Sequence, residues 1–197
     1  MTFEKRHRID ATFPHDWQVE ILKAPPAIAP VRHYFYPQAV EEVERGALEV
    51  CFRAGPGAEM KMATFALGFA DSSLPHGIWS CPNPRQICAV AGGYAYVIDA
   101  DRPENWMQIP YRPVTWVGAA PEQKLLLFAS FHCLWALGAD GKTWETSRLS
   151  WEGLRLTEID NEHLHGFGWD METDREVPFT VDLRTGAHIG GVGGAAE

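Results

Sequence analysis

Two histidines stand two positions apart in His163-Leu164-His165. On a strand, residues at that spacing point to one face, so both imidazoles project together. That is the beginning of a metal site, to which Asp160, Glu162 or Asp170 could add oxygen ligands. Two imidazoles fill only half of a tetrahedral shell, and the sequence places no further ligand. The expectation is therefore no stoichiometric metal at His163 and His165, and no cofactor. Just downstream Asp170, Glu172, Asp174 and Glu176 alternate. Their spacing opens like a calcium loop, but Arg175 stands where the sharp-turn glycine belongs and Val181 where the bidentate glutamate belongs. A solvated acidic turn is the expected structure.

Aromatic residues are the second chemical resource, with 8 Trp, 5 Tyr and 10 Phe in 197 residues. Trp combines a large apolar body with a single N–H, which suits both a core and a binding surface. Trp106 and Trp144 read as core. Trp151, between Ser150 and Glu152 and followed by Gly153, sits in turn chemistry and is expected to be exposed. An exposed Trp beside the acidic residues Asp170, Glu172 and Asp174 has the composition of an interface anchor with a charged rim.

Signatures of catalysis are missing. The chain has no Gly-x-Ser-x-Gly elbow, no phosphate-binding glycine loop ahead of a helix and no His-Glu-x-x-His. The glycines of residues 190–194 follow the last strand and read as a tail. Asp99 and Asp101 have the spacing of an acid–base pair, but equally that of turn carboxylates. The four cysteines form no Cys-x-x-Cys pair. Cys51, Cys88 and Cys133 lie in apolar runs and read as free core thiols in a reducing compartment. Cys81, in the loop Ser-Cys-Pro-Asn-Pro, is expected to be the most reactive of the four, although no base stands beside it.

The elements that must position these residues are strands. Leu48, Val50 and Phe52 alternate with Glu49, Cys51 and Arg53. Hairpin chemistry stands at Gly92 and Gly93, at Asp140 and Gly141, and at Thr185 and Gly186. A shift of about 38 residues superposes Ile87 on Leu125, Ala89 on Leu127, and Trp106 on Trp144. One short helix is expected over residues 37–46, begun at Pro37 and ended at Gly46, with an extended proline-containing arm before it. The reading is thus a mainly β, single domain over 1–197. It has an arm and short helix in 1–46, an antiparallel meander in 47–190 and a flexible tail in 191–197.

In its spacing this meander resembles β-propeller blades, although the Trp169-Asp170 pair does not recur; a curled sandwich or incomplete barrel fits as well. The stretches Gly-Phe-Gly-Trp-Asp and Val-Asp-Leu-Arg-Thr-Gly are similar to those of small uncharacterised bacterial proteins, a resemblance that implies no activity.

Charge narrows the partners. A formal net charge of -9 opposes nucleic-acid binding, which needs a basic face to displace counterions. No apolar run is long enough to span a bilayer, and no signal-peptide core follows the charged start, so a cytoplasmic location is expected. The leading functional expectation is a non-catalytic protein-binding module acting through Trp151, Asp170, Glu172 and Asp174. A carbohydrate or small-molecule binder comes second, and a metal-dependent hydrolase third.

Overall fold

Alternation and turn chemistry set the strands. β4 (Ala47–Arg53) buries every second side chain, putting Leu48, Val50 and Phe52 inside. β7 (Gln86–Ala91) and β8 (Tyr94–Asp99) are joined by Gly92 and Gly93, both at positive φ, the conformation that a two-residue hairpin loop demands and that glycine adopts without steric cost. The structure, a computed structural model, describes residues 8–24, 26, 32–38 and 45–192. Residues 39–44, the body of the helix expected over 37–46, and most of the arm before it lie outside the described residues. Among those described, no helix is long and apolar enough to cross a membrane.

The chain is mainly β and forms two compact units, Met1–Pro113 and Val114–Glu197. The first contains two sheets. One has the order β1-β6-β7-β8-β9, built from β1 (Arg8–Asp10), β6 (Gly77–Ser80), β7, β8 and β9 (Trp106–Gln108). The other has the order β2-β4-β5-β3, with β2 (Gln18–Ile21), β3 (His33–Tyr36) and β5 (Lys61–Ala66) around β4. Their shared core includes Trp17, Tyr36, Phe52, Phe65, Tyr96 and Ile98. Pairing is antiparallel except at two edges, where β1 lies parallel to β6 and β3 parallel to β5.

The second unit is two plain meanders. β10 (Trp116–Ala120), β11 (Leu125–Ala129), β12 (Leu134–Gly138) and β13 (Gly141–Glu145) pair in sequence order. So do β14 (Leu154–Ile159), β15 (His163–Asp170), β16 (Arg175–Asp182) and β17 (His188–Gly190). Leu125, Leu127 and Leu134 from the first sheet meet Leu164, Phe179 and Val181 from the second in one core. Trp144 joins them and donates its indole N–H to the Leu183 carbonyl at 2.8 Å, so the one polar atom of a buried Trp is satisfied.

Candidate functional site

β15 carries most of the chemistry, because of how its residues alternate. Leu164, Gly166 and Gly168 face the core, while His163, His165, Phe167 and Trp169 share the outward face, each half-buried. The glycines are required by close packing. A Cβ on Gly168 would sit 2.1 Å from the Leu149 carbonyl oxygen, and one on Gly166 would sit 2.6 Å from the Phe179 ring. Rings that would ordinarily fill a core therefore stand on the surface of this sheet.

At one end of the strand the rings form a groove of about 320 Å³ with Glu152, Gly153, Leu154, Arg155 and Glu176. The Arg155 guanidinium lies 4.3 Å from the centre of the Phe167 ring and donates to both carboxylate oxygens of Glu176, at 2.9 and 2.5 Å. That charge-assisted fork holds the Glu176 carboxyl below the usual carboxylate range. Ser150 ties the neighbouring loop to the strand end, its hydroxyl accepting the Trp169 N–H at 2.8 Å. The Trp151 N–H donates to the Trp169 carbonyl at 2.9 Å, and the Arg148 guanidinium lies 4.5 Å over the Trp151 ring. Trp151 remains 36% exposed.

The structure thus brings Trp151 to Trp169, the residue before Asp170. The acidic loop itself is mostly occupied with its own turn. Asp170 accepts the Thr173 hydroxyl at 2.6 Å and the Glu172 N–H at 3.2 Å, which hold its carboxyl low. Asp174 takes a left-handed conformation with φ 53°, and Glu172 and Asp174 are exposed. Asp99 is likewise spent on a turn, accepting the N–H groups of Asp101 and Arg102.

At the other end of β15, the turn from β14 places Asp160 against both histidines. Asp160 Oδ1 accepts the N–H groups of Glu162 and His163, each at 2.7 Å. Its Oδ2 accepts His165 Nε2–H at 3.0 Å, and His163 Nδ1 lies 3.8 Å from Oδ1. The Glu162 and His163 N–H donors and the His165 ring together hold this carboxyl far below the ordinary range. One nitrogen from each ring and one Asp160 oxygen lie within 4.8 Å of one another. Glu162 and Asp170 do not join this cluster.

Sequence reasoning missed Arg155, Phe167 and Glu176 as groove residues. The signal was the Gly-x-Gly spacing of 166 and 168, which marks the inward positions and so turns the rings outward. It also missed a pair formed at a distance: Ser147 Oγ–H donates to His188 Nε2 at 2.6 Å, while His188 Nδ1–H donates to the Gly190 carbonyl at 3.0 Å. This is the polarity a serine nucleophile uses, but a carbonyl rather than a carboxylate orients the ring. Cys81 corrects another expectation. It is fully buried, and burial pushes its thiol well above the ordinary range. Segment 11–17 lies over this end of β6, with the Phe13 N–H donating to Ser80 Oγ at 2.8 Å. Cys51 and Cys133 are the half-buried thiols, and all four are free.

No family model matches the chain, and a search of curated proteins finds no relative.

Proposed function

We propose that the protein is a non-catalytic protein-binding module whose contact surface is the outward end of β15 with the loop carrying Trp151. The observation that carries this reading is the inversion on β15, glycines in and aromatic rings out. Rings left half in water keep apolar area that folding does not bury, and a partner that covers them gains the burial of that remainder. Trp and Arg are the residues that dominate interface energies, and this surface presents Trp151 and Trp169 with Arg148 and Arg155. Glu172 and Asp174 supply a charged rim. The two meanders of the second unit, about 38 residues apart, support reading them as repeated blade-like units, which present loops to partners. The four free thiols support a reducing, cytoplasmic setting.

The test begins with capture from an extract of the source organism and continues with the purified partner. Trp151→Ala should weaken the measured affinity at least about tenfold, since truncating an interface hot spot costs about 2 kcal/mol or more. Charge reversal at Glu172 and Asp174 should mainly slow association and change its salt dependence. A partner bound equally by wild type and Trp151→Ala removes the site assignment.

A second reading, a carbohydrate binder, is favoured by one observation: Phe167 and Trp169 line the same groove as the Arg155–Glu176 fork, an aromatic platform beside paired polar groups. A glycan-array signal lost on Trp169→Ala would put this reading first.

A further inference from the structure

We propose that Asp160, His163 and His165 form a binding site for one divalent transition-metal ion, with Zn²⁺ as its representative, at the end of β15 opposite the Trp151 loop. The inference does not depend on partner binding. Sequence alone offers two imidazoles; the β14–β15 turn supplies the carboxylate that completes a three-ligand set, two nitrogens and one oxygen within 4.8 Å. Three protein ligands with the remaining positions open is the arrangement of accessible zinc sites, and imidazole ligands favour such ions over calcium or magnesium.

The supporting contacts suit a metal. Asp160 Oδ1 is held by two backbone N–H groups, which fixes the carboxylate and leaves Oδ2 facing His165. His165 is held from its far side, Nδ1 lying 3.1 Å from the Thr180 hydroxyl on the adjacent strand. Without metal, Nε2–H donates to Asp160 and Nδ1 accepts the Thr180 O–H. A metal at Nε2 displaces that proton, and Nδ1–H then donates to the same hydroxyl, which can do either. One hydroxyl thus supports both tautomers, the outer-sphere role that orients metal-bound histidines. Asp182 lies opposite His163 and Glu158 opposite His165 across the strand pairs, so the surrounding charge favours a cation. Side-chain exposures of 43% for Asp160, 38% for His163 and 34% for His165 leave room for water or a further ligand.

The experiment uses the full chain, purified without an affinity tag and stripped with chelator. Calorimetric titration with Zn²⁺ should show one ion per chain, and Co²⁺ should give visible bands of a site with nitrogen and oxygen ligands. Asp160→Asn keeps the Oδ1 acceptor that the turn needs while removing the charge, and should weaken binding at least about tenfold, as should His165→Ala. Thr180→Val, which touches no ligand atom of the metal, should weaken it by about tenfold as well. Circular dichroism confirms that each variant is folded. Absence of a stoichiometric ion in the wild type, or equal binding by wild type and the His163→Ala/His165→Ala double variant, overturns the proposal. Either result leaves the Trp151 surface untouched, because that surface is tested by partner affinity.

Discussion

The two units use the same hairpins and handle ionisable groups in opposite ways. In Met1–Pro113, Tyr36, Cys81 and Cys88 are pushed up by burial. In Val114–Glu197, exposed carboxylates are held down by donors: Asp160 by the Glu162 N–H, Asp182 by the Thr185 hydroxyl, and Glu176 by Arg155. Asp10 and Cys133 cross the pattern. The first unit encloses some of its polar side chains, as where the Tyr36 hydroxyl donates to the Pro103 carbonyl at 2.6 Å and Lys61 Nζ donates to the Ala100 and Asp101 carbonyls at 2.8 and 2.9 Å. The second turns its polar atoms, and several of its rings, outward along β14–β16. Interior ionisable groups brace a core; the same groups at turns and on an open sheet face are available for chemistry.

The largest contrast is in packing. Phe65→Ala, in the core of the first unit, should cost about 3–5 kcal/mol in urea denaturation. Phe167→Ala, on the outward face of β15, should cost about 1 kcal/mol or less. Equal losses would mean that the outward face is part of a core. Gly168→Ala should fall between them, at about 1–3 kcal/mol, because its methyl meets the Leu149 carbonyl.

Proton linkage sharpens the comparison at a smaller scale. In the unfolded chain the thiols ionise near 9.0 and the phenol near 10.0, and in the fold they do so only at higher pH. Above those values the unfolded chain releases protons that the fold retains, so stability falls as pH rises. The lowered carboxylates act oppositely. Unfolded, they take up protons near 3.8 to 4.5, which the fold resists, so their contribution is present above that range and lost as pH drops through it. Hydrogen exchange across pH should show β5, β7 and β8 losing protection first in alkali, and β14, β15 and β16 first in acid. The reverse order would break the distinction. The smallest effect is local: a thiol reagent should leave Cys81 and Cys88 unmodified in the native protein and reach all four thiols after denaturation without reductant.

Local chemistry was readable wherever it decided the outcome. The glycines at 92 and 93 specify their loop, and the alternation of β4 specifies its buried face. Trp151 was readable as exposed from the turn around it. Pairings over long separations were not, because a three- or four-residue strand has no pattern of its own; β1 and β3 become strands by the edges they join. The cluster of Asp160, His163 and His165 was half readable. Period two places the histidines together, but the direction of the Asp160 carboxylate depends on the hydrogen bonds of a turn. Cys81 was misjudged because prolines around a residue indicate a loop and say nothing of what lies over it.

The edge position of β1 also has a consequence for how the chain is made. Its partner β6 begins at Gly77, so a nascent chain carries Arg8–Asp10 without a pairing strand until some 70 further residues have been synthesised. β3 waits similarly for β5, while each hairpin of the second unit can close as soon as its second strand leaves the ribosome. β1 is thus translated well before the strand it pairs with and is placed only once β6 has been made. A ribosome stalled before residue 77 leaves β1 without its native partner, an unpaired edge open to wrong pairing, including with another copy of the chain.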